Sequence, residues 1–401
     1  MPIRTIHSSD RRLLRWLLLV AGLAACTAAG FAAENSPTTT PTHVEQVSFA
    51  RDEEVLRAAG RVVVEDEEGG VLLEEADGRQ WVIEAKEVHS RHTTEQRFQP
   101  LTSEELVKQM LEELPAGFKT HTTPHYVVCY NTSRAYALWT SSLLERLHRA
   151  FTNYWSGKGV EMSEPEFPLV VIVYATADQY RAASAAELGP AASSIIGYYS
   201  LTSNRVSMYD LTGTEAVRGG RNRRGSLKEI NQMLGQPAAL PLVATVVHEA
   251  THQIAFNCGL QKRLADLPLW LVEGMAVYFE APDLSSGRGW RGIGKINYPR
   301  LKTFQTNLRT PRRSSLLSLI ADDKMLRNSR TAVDAYADAW AINYFLIQYH
   351  PDEYVGYVRA LSEKQPLVTG KAADRIAEFR KHFGEIAQLE QEFLKRMSRL
   401  D

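Results

Sequence analysis

Cysteine is scarce in this chain: three residues among 401, at positions 26, 129 and 258. So few exclude the disulfide framework that holds many small secreted domains together. An excess of one charge is missing as well. With 46 Lys and Arg against 47 Asp and Glu, the net charge is −1, which leaves no electrostatic footprint for a nucleic-acid partner. The apolar stretch from Trp16 to Ala25 is shorter than the roughly 20 residues that a membrane helix needs. No Gly-x-Ser-x-Gly elbow or Cys-His nucleophile arrangement stands out either, so nothing points to serine or cysteine chemistry.

What is present is ordinary in bulk and specific in detail. Hydrophobic residues at 44% and charged residues at 23% suit a globular chain with a sizeable core and two or three domains. The start reads as an export signal over residues 1–25. Arg4, Arg11, Arg12 and Arg15 form a basic n-region ahead of the apolar stretch, which ends in Leu23-Ala24-Ala25-Cys26, a sequence that resembles a bacterial lipobox. Cleavage before Cys26 and lipidation would tether the protein to a membrane, whereas cleavage near Gly30-Phe31-Ala32 would release it. Both stay open, and either predicts a periplasmic or extracellular protein. Cys129 and Cys258 sit in apolar surroundings and read as two separate buried thiols rather than a pair.

The Pro/Thr-rich stretch within 26–45 predicts a linker. Short β-rich runs at Arg61, Gly70 and Gln80, separated by Glu-Gly-Gly and Asp-Gly turns, predict a small antiparallel module over 46–95. Thr102-Ser-Glu-Glu105 is a capping box opening a connecting helix in 96–117 that Pro115 stops. From 118 the order is strand (125–130), helix (133–153), strand (168–174), a hairpin from 195–199 and 205–209, then a buried helix that starts near Pro241 and stops at Gly259. After Glu280 the pattern is mostly helical, with periodicity over 331–349 and 372–400. The fold class expected is α+β, with an upper subdomain over 118–282 and a helical lower one over 283–401.

That buried helix contains His248-Glu249-Ala250-Thr251-His252. Residues four apart share a helix face, so both imidazoles can reach one metal ion while Glu249, one position round, reaches a water on it. A catalytic zinc takes three protein ligands and keeps an open position. Glu273 is the one ionisable group in the apolar run Leu267 to Phe279, where a carboxylate is costly unless paired, hydrogen-bonded or metal-bound. It is the natural third ligand.

These residues, HEATH followed by Trp270-Leu-Val-Glu273-Gly274-x-Ala276-x-Tyr278, resemble the gluzincin branch of zinc metallopeptidases. The closest likeness is to peptidase MA-like families that include exported bacterial domains of unknown function. The resemblance covers roughly residues 118–350. It implies a zincin-like fold, Zn2+ held by His248, His252 and Glu273, and Glu249 as general base. In one respect the chain departs from the pattern: thermolysin-like relatives place an Asp four residues after the Glu ligand to orient a histidine, and Val277 stands there. The resemblance also places a Tyr or His of the lower subdomain near the metal as an oxyanion donor. Tyr336 fits that role, and it equally fits packing against Trp340 and Tyr344; His125 and Tyr278 are the next positions to consider.

Two other signals carry less. Gly287-x-Gly289-x-x-Gly292 follows a helix, not a strand, and is set aside as a dinucleotide turn. The basic run Arg218 to Arg224 reads as a surface loop. The function expected is hydrolysis of a peptide or protein substrate by a zinc-dependent metallopeptidase. The alternatives are an exported zinc-binding or scaffolding protein without turnover, and a zinc hydrolase of a non-protein amide.

Overall fold

Strand β1 (His43–Arg51) alternates outward and inward residues, with Val47 and Phe49 buried, the period that places one face of a sheet on a core. It is the first element of the computed structural model, which describes residues 43–401 apart from 52–53, 215–216, 218–224, 285–289 and 311–314. The export signal with Cys26, the basic run, and Gly287 and Gly289 therefore lie outside the described residues. Because β1 already opens at His43, the stretch read as linker ends before 45.

β1 joins β2 (Glu54–Glu65), β3 (Val71–Glu75), β4 (Gln80–Ile83) and β5 (Val88–Arg97) in an antiparallel sheet of order β4-β3-β2-β1-β5. The sequence reading missed β5, whose polar residues VHSRHTTEQR hide any alternation; it is held by pairing with β1 and by Arg91, which bridges Glu45 on β1 and Glu65 on β2. Helix α1 (Ser103–Glu113) follows, with the predicted capping box at Thr102 and Glu105.

The second sheet contains β6 (Lys119–Thr122), β7 (Tyr126–Tyr130), β8 (Leu169–Tyr174), β9 (Gly197–Tyr199) and β10 (Arg205–Tyr209), in the order β6-β7-β8-β10-β9. β7, β8 and β10 run parallel, and every residue of β7 and β8 is buried, as expected of parallel strands covered on both faces. The hairpin predicted at 195–209 forms, and places short β9 antiparallel at the sheet edge. α2 (Arg134–Gly157) packs on β7, and α3 (Ala177–Leu188) and α4 (Leu227–Leu234) lead to α5 (Leu240–Asn257), which packs against β9 and β10.

The first sheet braces that hairpin. Gln80 N–H donates to Thr202 O at 2.7 Å, and buried Arg263 joins Glu74 Oε1 at 2.6 Å to the carbonyls of Gly78 and Leu201. Among the described residues every strand precedes residue 210, and the rest is helical: α6 (Leu269–Phe279), α7 (Tyr298–Asn307), α8 (Leu316–Ala321), α9 (Lys324–Arg327), α10 (Ala332–Tyr349), α11 (Pro351–Ser362), α12 (Ala372–Phe383) and α13 (Ile386–Met397). The fold is α+β, as expected. The periodicity over 372–400 is two helices rather than one, because Gly384 takes φ 74° and ends α12, the left-handed stop that glycine adopts without strain. No described helix is long and apolar enough to cross a membrane. Cys129 and Cys258 are both free and buried.

α6 and α10 meet at Gly274. A Cβ there would lie 2.2 Å from Ala339 O and 2.1 Å from Asn343 Nδ2, and that same amide donates to Trp270 O at 2.8 Å. Gly274→Ala is therefore expected to push the helices apart at a cost near the upper end of the ~1–3 kcal/mol typical of overpacking. Denaturant melts of the two proteins measure it.

Candidate metal centre

α5 is apolar nearly all round, which buries it. Every residue from Thr245 to Ala255 is buried, so His248 and His252 are carried into the interior on one helix face. Pro241 lies in its first turn, and Gly259 follows its last residues with φ 83°. α6 is buried along its whole length and faces α5, bringing Glu273 to the two imidazoles.

The three predicted ligands meet. Nε2 of His248 lies 3.1 Å from Nε2 of His252 and 3.2 Å from Glu273 Oε2, which is 3.5 Å from His252 Nε2. Ligands at 2.0–2.1 Å around a tetrahedral zinc stand roughly 3.3 Å from one another, so the triangle already has the edge length of such a shell. Its donors, two imidazoles and a carboxylate, form a set found in catalytic zinc sites, and the buried trio can hold a metal ion.

Electrostatics agree with a site built for a cation. Burial alone would raise the Glu273 carboxyl, yet His252 and His248 hold it well below the usual carboxylate range. Burial would likewise lower His248, but Glu273 and Glu280 overcome it and push that imidazole up to about 10. His252 is lowered, chiefly by burial. A positive charge is thus favoured between these groups, a place that a dication can take.

Glu249 is 1% exposed. Its Oε2 accepts the backbone N–H of Tyr199 on edge strand β9 at 2.8 Å, while Oε1 has no partner among the described residues. Burial pushes its carboxyl up to about 8, against the pull of His248. One oxygen is thus fixed and the other left bare. The backbone N–H of Tyr199 has no side-chain signature, and sequence reasoning did not find it.

Glu280 was missed too, although a signal existed. Val277 cannot orient a histidine, but Glu280, seven residues after Glu273 and so two turns on along the same face, brings Oε2 to 3.4 Å from His248 Nδ1. Its Oε1 accepts from Asn297 Nδ2 at 2.7 Å, and Asn297 in turn caps α7. Carboxylates behind a ligating imidazole fix its tautomer and orientation. We expect Glu280→Gln to weaken metal binding about ten- to a hundredfold with the fold retained; competition against a chromophoric chelator reads it.

Tyr336 comes from buried α10 to the same place. Its hydroxyl meets no hydrogen-bond partner among the described residues, and burial with the nearby charge of Glu273 pushes its pKa well up. The other positions considered are engaged elsewhere. His125 is held by Glu145 at 2.7 Å and Glu164 at 3.1 Å and stacks on His148, and the Tyr278 hydroxyl meets Tyr154 and Gln348. His125, His148 and Glu164 form a second group with metal-ligating atoms close together, but Glu164 is exposed.

Among curated proteins none is similar enough to be called a relative. A family model described as a protein of unknown function (DUF1570) matches residues 242–368; that stretch, from α5 to just beyond α11, carries His248, Glu249, His252, Glu273, Glu280 and Tyr336.

Proposed function

We propose that this protein is a zinc-dependent peptidase acting on peptide or protein substrates. The observation that carries the reading is the juxtaposition of a three-donor triangle of zinc dimensions with a buried carboxylate, Glu249, that keeps one oxygen bare. A purely structural site has no use for that second feature.

Zinc bound there would acidify a water molecule and polarise the scissile carbonyl. The chain's own residues do the rest. Glu249 takes a proton at Oε1, since Oε2 is occupied by the Tyr199 N–H, and returns it to the leaving amine. Tyr336, whose hydroxyl lies beside Glu273 but meets full hydrogen-bond geometry with no described residue, donates to the oxygen on which charge develops. Export belongs to the same proposal and rests on the N-terminal segment alone.

The test is digestion of a mixed peptide library by the purified protein, with and without a chelator, read by mass spectrometry. Cleavage that zinc restores supports the reading, and an intact library under zinc-replete conditions ends it. Tyr336→Phe is expected to lower kcat roughly ten- to a thousandfold, with KM and zinc content little changed. A variant with wild-type kcat would make Tyr336 a packing residue.

A further inference from the structure

Arg300 stands in the first turn of α7, where its N–H is capped by Asn297 Oδ1, and it is only 6% exposed. Its guanidinium lies over the Tyr336 ring, 5.6 Å from the centre. Among the described residues no carboxylate comes within ion-pair distance of it, and its side-chain nitrogens are not among the fully buried atoms without a partner, so the guanidinium keeps its small exposed area. Other deeply buried arginines differ: Arg263 has Glu74 at 2.6 Å, and Arg375 has Asp323 at 2.9 Å as well as Asp266. A guanidinium cannot shed its charge, so burying it without a counter-ion is costly. The aromatic face offsets only part of that.

Position gives the cost a use. Tyr336 carries the guanidinium on its face and has its hydroxyl beside Glu273, so Arg300 sits one aromatic ring from the metal triangle. The start of α7 is tied to the same centre through Asn297, Glu280 and His248. Arg's planar fork of donors matches a carboxylate in two parallel hydrogen bonds.

We propose that Arg300 recognises a carboxylate of the substrate, so that the site takes acidic peptides, through either a free C-terminus or an Asp or Glu side chain. The word substrate rests on the hydrolase reading above, but the recognition is a binding property and needs no turnover. The rival role is purely local, with the positive charge of Arg300 acting only on the Tyr336 hydroxyl.

Zinc-loaded Glu249→Gln protein, which should bind without cleaving, is incubated with matched pools of random octapeptides. One pool has free C-termini and Asp and Glu, one is amidated at the C-terminus, one has Asn and Gln in place of Asp and Glu, and one has both changes. Retained peptides are counted by mass spectrometry. The doubly neutral pool should be retained at least about tenfold less than the first, the scale of losing charge-assisted hydrogen bonds. The two singly altered pools tell which carboxylate is read. Adding Arg300→Gln should make all four pools equal with zinc content unchanged, while Arg300→Lys, which keeps the charge and loses the fork, should reduce the preference without abolishing it. Equal or absent retention of all pools before Arg300 is altered overturns the proposal, as does a preference that either Arg300 variant leaves intact. Failure of the hydrolase reading looks different: wild-type protein would cleave none of the pools.

Discussion

Glu249→Gln is expected to keep zinc content and melting temperature close to wild type while hydrolysis of any peptide substrate falls by about 10²–10⁴-fold, the contribution of a positioned general base. The substitution is nearly isosteric, and the hydrogen bond from Tyr199 N–H to Oε2 can be kept by the amide oxygen. The atom that changes is the other one. In the variant the bare Oε1 position becomes an NH2 group, a donor with no basicity at neutral pH. Glu249 is buried and its carboxyl is pushed up to about 8, so a neutral amide there adds no desolvation cost, and stability is expected to hold. Single-turnover rates on one cleaved peptide, beside metal analysis of the same sample, separate chemistry from binding. Turnover at wild-type rate with zinc in place would remove Glu249 from the mechanism.

How much of this was legible in the sequence depends on what each part uses as its signal. α5 and α6 were readable because both are apolar throughout, so His248, Glu249, His252 and Glu273 stood out as ionisable groups that burial penalises. The hairpin and the Thr102 capping box were readable because turn and cap chemistry is local. β5 was not, since its polar residues are held by pairing with β1 and by the Arg91 bridges, both of which are long-range. Gly384 falls within the helical periodicity of 372–400, and its left-handed φ marks it as a stop. In the site, the missed parts share one cause. The Tyr199 N–H is backbone, Glu280 acts with Asn297 from another helix, and Arg300 is conspicuous only once its lack of a carboxylate partner is seen among the described residues.

His252→Ala should empty the site. Wild-type protein is expected to hold about one zinc per chain, and removing one of three ligands leaves His248 and Glu273, too few for a stable four-coordinate shell. The readout is twofold. Metal analysis after dialysis should fall from about one equivalent to near zero. Added zinc should also stabilise the wild type, by about 2.7 kcal/mol when free zinc is 100 times its dissociation constant, and leave the variant's melting curve where it was. The variant should also be less stable without added zinc, because His252 is the main group that holds the buried Glu273 carboxylate ionised against desolvation. A further outcome has a defined meaning. If His252→Ala kept one equivalent, the zinc would have to sit elsewhere, and the group of His125, His148 and Glu164 is the other described cluster with donors close enough. Comparing His252→Ala with His125→Ala therefore assigns the metal: loss in the first alone supports the α5–α6 centre, and loss in the second alone refutes it.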